Sequence, residues 1–528
     1  MKNFIKNNWI LLCILALALF FRFWQINHLP GGLFPDEAAN GLDINSMFHG
    51  HIQPFYERGN GREALFFYFE ALSVLLFGRG VWQFHIVSAA FGFAAVIACY
   101  LLAKRLFGKR VALLSAFFMA VSSYAVTVTR TAFRATTVPL LATLTLLFLV
   151  RFFQAKDSKT KYWSAAWAGI FFGLGFYTYT SFRMMLPLVV GFLFLLFLGY
   201  RSRWREIYKN YKKYKLTFGA AFLITISWIA VYFIQHPKSF VGRAGEVSVF
   251  NKTLNQGDLI GTVIDVFKKT ILSFFTNGDL NWRQNVSGFP FLTPLISPFF
   301  ALAVIIFTIA IFRLLWQAWR QKIEVNTAYQ ALLAFWFWFM LVPEITTAEG
   351  IPHGLRLTGV MPVIFILSAW GVNWLWEKMP SGPDGKYLEA EKFLVAGIFI
   401  FTILIYNFAL YFGVAATSPD YYYAFRSDLT VVSNYLNHRN LKDQTYLSLD
   451  PYSVQTTDYL TTDQNQPYIL VDPASTYKVS LKRGDQVVFT QSTLPDATKF
   501  VQFHPNARLA RIDSNQFGQT IMLVYQQP

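Results

Sequence analysis

Apolar blocks about as long as a bilayer is thick recur along most of this sequence, and no other feature limits the possible folds so severely. Segments such as Trp9 to Phe23, Val111 to Val128 and Phe393 to Phe412 each have the length to cross roughly 30 Å of hydrocarbon as a helix. Only 14% of the 528 residues are charged, against 54% hydrophobic, too few to cover a soluble globule of this size. The pattern predicts a mostly α, polytopic membrane protein of about eleven transmembrane helices. They fall near 9–24, 82–103, 111–129, 136–152, 163–180, 184–199, 216–234, 292–315, 328–344, 357–376 and 393–413.

The formal charge of +17 does not point to nucleic acid, because the basic residues sit in short segments between apolar blocks and not on one amphipathic surface. Alternate loops hold Lys104, Arg105, Lys109 and Arg110, then Arg151, Lys156, Lys159 and Lys161, then the run from Arg201 to Lys215. Arg313, Arg320 and Lys322 follow, and last Lys378, Lys386 and Lys392. The positive-inside rule puts all of these in the cytoplasm with the N-terminus, and an odd helix count then leaves the C-terminal segment outside a cell membrane. Lys2 and Lys6 precede the first block, which lacks a small-residue cleavage site, so an uncleaved first helix is expected.

Two long outer loops result, 25–81 and 235–291, with a shorter one near 345–356, and function is expected to concentrate there. Within the first, Leu65 to Phe77 is apolar, too short to span and carries Glu70, which fits a helix lying along the interface. From about 415 the apolar blocks end. Short strand-like runs, Tyr446 to Leu449, Tyr468 to Val471, Gln486 to Phe489 and Thr520 to Tyr525, follow a helix-like stretch from Asp428 to Leu436. The expected division is therefore a membrane domain, 1–414, and a small α/β extracytoplasmic domain, 415–528.

The first outer loop opens on the adjacent carboxylates Asp36 and Glu37, between Pro35 and Ala38-Ala39. Paired acids are common on solvated loops, but an ionised group close to the membrane plane tends to be functional. The loop continues with Glu57, Arg58, Arg62 and Glu63, while other outer helix ends carry Arg130, Arg134, Arg183 and Arg356. Singly, each arginine can snorkel to lipid headgroups. As an outward set opposing the positive-inside bias they call for an anionic ligand. His28, His49 and His51 lie close in sequence without a recognised ligand spacing, and Cys13 and Cys99 both fall inside apolar blocks. Neither a metal nor another cofactor is expected.

The membrane region resembles the GT-C fold glycosyltransferases that include the protein O-mannosyltransferases and the aminoarabinose transferase of lipid A. The acidic pair Asp36-Glu37 is the most specific element. Gly61-Arg62-Glu63-Ala64-Leu65-Phe66, Arg130-Thr131-Ala132-Phe133-Arg134 and Gly175 to Arg183 follow in order. His236-Pro237 with Arg243, Asn277-Gly278-Asp279 with Arg283 and Asn285, and Pro352-His353-Gly354-Leu355-Arg356 complete the set. The resemblance implies transfer of a sugar from a polyprenyl-phosphate donor to a protein, lipid or cell-wall glycan acceptor. Asp36 would act as base with Glu37 beside it, and Arg62, Arg134, Arg356 and His353 would meet the donor phosphate. Arg58, Glu63, Arg130, Tyr179, Arg183, Asp279 and Arg283 would line the substrates. A transporter or lipid flippase is the main alternative, although polar residues here gather in outer loops and not at the bilayer midplane. A sensor built on 415–528 would leave the acidic loop and the arginines without a role.

Overall fold

The computed structural model describes residues 2–241, 245, 247–379, 386–439, 443–461 and 468–528, so Arg243 lies outside the described residues. Two compact units form. One comprises residues 1–24, 53–66 and 86–415, the other 25–52, 67–85 and 416–528. Of the segment 25–85, residues 53–66 group with the helical body and residues 25–52 and 67–85 with the C-terminal segment.

The first unit is a helical membrane body. Among the described residues eight helical segments are long and apolar enough to cross a bilayer: Trp82–Phe107, Arg134–Gln154, Thr180–Gly199, Arg201–Gln235, Ser297–Trp319, Val325–Ile345, Arg356–Lys378 and Ala390–Ala415. Three further expected spans are present in altered form. Helix Lys2–Phe23 contributes a shorter apolar piece, Asn8–Phe23, and Ser158–Gly175 is a helix with a polar first turn. The third breaks at Ser122 into Lys109–Val121 and Ser123–Val128. There the Ser122 hydroxyl accepts from Ala125 N, and Asn407 Oδ1 accepts from Ser123 N at 2.8 Å, so side chains satisfy amides that the break would otherwise strand.

Packing in this unit relies on small residues and on buried cations used as helix caps. Gly169 and Gly173, one turn apart on Ser158–Gly175, let helix Trp204–Gln235 approach so closely that a Cβ at either would lie 2.5 Å from Phe218 O or 2.7 Å from Thr225 Cβ. Arg22, fully buried, donates to the carbonyls of Met119 and Ala120 at 3.0 and 2.9 Å. Arg130, also fully buried, donates to those of Phe21 and Trp24 at 3.0 and 2.7 Å. Each guanidinium thus closes the open carbonyl end of a helix.

The second unit is built on a five-stranded sheet in the order Ile469–Val471, Thr445–Ser448, Gln486–Thr490, Thr520–Gln526, Arg508–Ser514. The first three strands run parallel, and Thr520–Gln526 is antiparallel to both of its neighbours. Gln486–Thr490 is buried on both faces. Val488 packs with Leu429, Val432 and Leu436 of helix Ser427–His438, and Val487 and Phe489 pack with Phe500 of helix Leu494–Phe503. Strand Arg508–Ser514 escaped the sequence reading because it is an exposed edge carrying Arg508, Arg511 and Asp513, the charge that keeps edges from pairing with other chains. The chain leaves Thr445–Ser448 toward one neighbour and returns to pair on its other side, so winding reverses between Thr445–Ser448 and Gln486–Thr490. Ligand-facing loops of α/β sheets cluster at the carboxyl ends of strands at such a point.

Candidate functional site

In the second unit, Pro35 starts helix Pro35–Phe48, with Asp36 and Glu37 in its first turn, where carboxylates favour the positive helix end. Their environments differ sharply. Glu37 is fully buried: its Oε2 accepts from Phe34 N at 2.9 Å and lies 3.8 Å from His85 Nε2, itself fully buried. Asp36 is exposed, and its Oδ1 accepts from the Tyr452 hydroxyl at 2.9 Å. The helix that carries the pair is fixed against helix Val454–Thr461. A Cβ at Gly41 would meet the Tyr459 ring at 2.4 Å, and Thr456 Oγ1 donates to Leu33 O at 3.0 Å.

In the first unit the arginines stand on three short 3-10 turns, Arg134–Thr137, Thr180–Met184 and Arg356–Val360, each leading directly into a spanning helix. Glu63, buried on the short strand Arg62–Glu63, accepts from Arg134 Nε at 2.9 Å and meets Arg183 Nη2 at 3.5 Å. Two guanidinium groups therefore share one carboxylate. Arg134 also stacks over Tyr179, 5.2 Å from the ring centre, and Arg183 donates to Phe240 O while lying over its ring. Planar cations sandwiched in this way stay oriented. Arg62 is buried and its Nε donates to Arg58 O, whereas Arg58 itself is exposed.

The third turn is held by acids that the sequence reading had partly missed. Glu344, buried after Pro343 at the end of helix Val325–Ile345, accepts from His353 N at 2.8 Å and lies 3.9 Å from Arg356 Nη1. An acid inside an apolar span was the signal that should have marked it. Asp279 accepts from Gly354 N at 2.8 Å and from Asn281 N at 2.7 Å, and Gln284 contacts His353 Nε2 at 3.3 Å. Burial pushes the Asp279 carboxyl up to about 6, against the opposing effect of these bonds and of Arg283 and Arg356. The geometry brings Arg134, Arg183, Glu63 and Tyr179 together, and separately Arg356, His353, Glu344 and Asp279. Arg130 is spent on helix carbonyls, and Arg283 is half-buried beside Asn281, whose Oδ1 accepts from its backbone N–H. Among the described residues no three His, Cys, Asp or Glu side chains are grouped so as to hold a metal ion.

This is the fold of the GT-C membrane glycosyltransferases. Residues 64–230 match the family model described as dolichyl-phosphate-mannose-protein mannosyltransferase. The structure of ArnT from Cupriavidus metallidurans bound to undecaprenyl phosphate superposes with a TM-score of 0.56 at 13% identity, covering 98% of each chain. AglB, the oligosaccharyltransferase of Archaeoglobus fulgidus in complex with an inhibitory peptide and a dolichol-phosphate, superposes with a TM-score of 0.52 at 13% identity, covering 99% of this chain and 75% of that one. No curated protein sequence matches the chain.

Proposed function

We propose that this multi-pass membrane protein transfers a sugar from a polyprenyl-phosphate-linked donor to an acceptor hydroxyl, by inverting displacement with Asp36 as base. The observation that carries this reading is the split between the two adjacent acids. Glu37 is buried as a fixture of its helix start, while Asp36 is presented to solvent with its oxygen already oriented by a hydroxyl donor. An acceptor hydroxyl needs a carboxylate within hydrogen-bond reach, and one base suffices for inversion. As the acceptor oxygen bonds to the anomeric carbon, Asp36 takes its proton and the bond to the lipid phosphate breaks.

The leaving phosphate requires fixed positive charge. Arg134 and Arg183, with one carboxylate between them, supply a surplus, and Arg356 and His353 stand on a turn held by Glu344 and Asp279. The names of two relatives of the same fold favour a lipid-phosphate ligand, undecaprenyl phosphate in one and dolichol-phosphate in the other. The reaction belongs on the outer face of a cell membrane, with the basic loops in the cytoplasm, and the acceptor is a protein, lipid or cell-wall glycan. Purified protein in nanodiscs, offered a panel of polyprenyl-phosphate sugars, is expected to release polyprenyl phosphate from at least one of them. Intact donors throughout, with folded protein, would return the chain to the transporter reading.

A further inference from the structure

The geometry points to Tyr452 as a positioning residue for Asp36, supplied by the C-terminal α/β segment and acting through its hydroxyl. Tyr452 stands in the turn Asp450-Pro451-Tyr452-Ser453, just past the carboxyl end of strand Thr445–Ser448, at the point where the sheet reverses its winding. Its hydroxyl donates to Asp36 Oδ1 at 2.9 Å, and the edge of the Phe34 ring holds its own ring with 5.9 Å between centroids. That distance lies inside the range over which an acceptor hydroxyl must approach a general base. The bond therefore aims one carboxylate oxygen and narrows the rotamers open to an exposed side chain.

The turn itself is braced from inside the unit. Asp450 Oδ1 accepts from Tyr452 N at 3.1 Å and from Ser453 N at 2.9 Å. Burial works against ionisation of Asp450, but the Ser453 bonds and the nearby Arg426 charge hold its carboxyl below the usual range. Arg426 makes two 3.0 Å bonds to buried Asp428, donates to Ser453 Oγ at 2.6 Å and reaches Ser492 Oγ at 3.3 Å. One guanidinium thus joins the turns that follow both central parallel strands and fixes the platform from which Tyr452 extends. The Asp450 bonds run to the backbone N–H groups of Tyr452 and Ser453 and the Tyr452 ring is half exposed, so loss of the hydroxyl leaves this bracing in place.

The role rests on the transfer reading, and the test separates the two. Tyr452→Phe removes one oxygen and keeps the ring against Phe34. In nanodiscs, with a panel of undecaprenyl-phosphate-linked hexoses and pentoses and release of undecaprenyl phosphate as readout, kcat is expected to fall roughly ten-fold. That corresponds to about 1.4 kcal/mol, the scale of a hydrogen bond to a charged group in a partly exposed setting. Donor KM and melting temperature should stay at wild-type values. Asp36→Glu moves the carboxylate off the hydroxyl, so on that background Tyr452→Phe should change kcat by less than about two-fold. Wild-type kcat in Tyr452→Phe, or an equal loss on the Asp36→Glu background, would overturn the assignment while leaving transfer intact. No release by wild type from any donor would overturn transfer and the role with it.

Discussion

Asp36 and Glu37 are neighbours in sequence, and their opposite environments make opposite demands on a conservative amide substitution. Asp36→Asn changes an exposed side chain whose Oδ1 can still accept from Tyr452, so the protein should melt where wild type does. A base that cannot take a proton should nevertheless lower turnover by roughly 10²–10⁴. Glu37→Gln changes a fully buried group that closes the start of helix Pro35–Phe48 through Phe34 N and faces His85. Gln keeps an acceptor oxygen but loses the charge, and the weakened cap should cost about 1–2 kcal/mol of stability. Activity should follow folded protein, with at most about a ten-fold loss. Both variants would be compared with wild type for polyprenyl-phosphate release in nanodiscs and for melting in the same preparations. Normal turnover in Asp36→Asn beside a collapse in Glu37→Gln at unchanged melting temperature would exchange the roles and refute the argument from burial.

Arg134→Ala and Arg356→Ala should raise donor KM by roughly ten-fold or more, with partial rescue by Lys, which restores charge without the planar fork; unchanged donor kinetics in both would remove them from the site. Gly173→Leu should lower the melting temperature through about 1–3 kcal/mol of overpacking against Thr225, whereas Gly219→Leu, with open space around its Cβ, should not; equal melting of the two would refute the close approach. Because the Asp279 carboxyl is raised to about 6 in the fold, the unfolded chain releases that proton first, and this residue's contribution to stability should fall as pH rises from about 4 to about 6 and stay flat above. The melting temperature of wild type relative to Asp279→Asn should therefore fall across that window and level off above it, and a constant difference would rule the effect out. Protease added to intact spheroplasts should remove the C-terminal segment and spare the N-terminus; protection of the segment would mean that the count of spans is wrong by one.

The spans were legible because a bilayer imposes length and apolarity on every crossing segment, and Leu65 to Phe77 because a segment of thirteen residues is too short to cross; a helix there, Leu65–Phe77, exposes Phe69, Leu72 and Leu75. Four of the five strands of the larger sheet were readable as short runs between turn residues. The break at Ser122 was not, since the cap that permits it comes partly from Asn407, almost three hundred positions away. Of the candidate site, the acidic pair and the arginines could be found as charges that the basic-loop pattern did not account for. What each arginine does could not: Arg130 and Arg134 look alike in sequence, yet one closes a helix end and the other meets Glu63. Tyr452 carried no signal at all, being a tyrosine in a surface turn whose partner lies 416 positions earlier.

The packing of helix Pro35–Phe48 against helix Val454–Thr461 also sets a timetable. The Leu33 carbonyl waits 423 positions for the Thr456 hydroxyl, which at a synthesis rate of about 5–20 residues per second is roughly 20–85 s. Throughout that interval a ribosome-bound chain displays the acidic turn without its scaffold, while the helices from Trp82 to Ala415 are made. A chain that stalls after the last span is therefore a membrane protein with an unconfigured Asp36, and premature termination anywhere before 454 leaves the same defect, whatever the state of the helices.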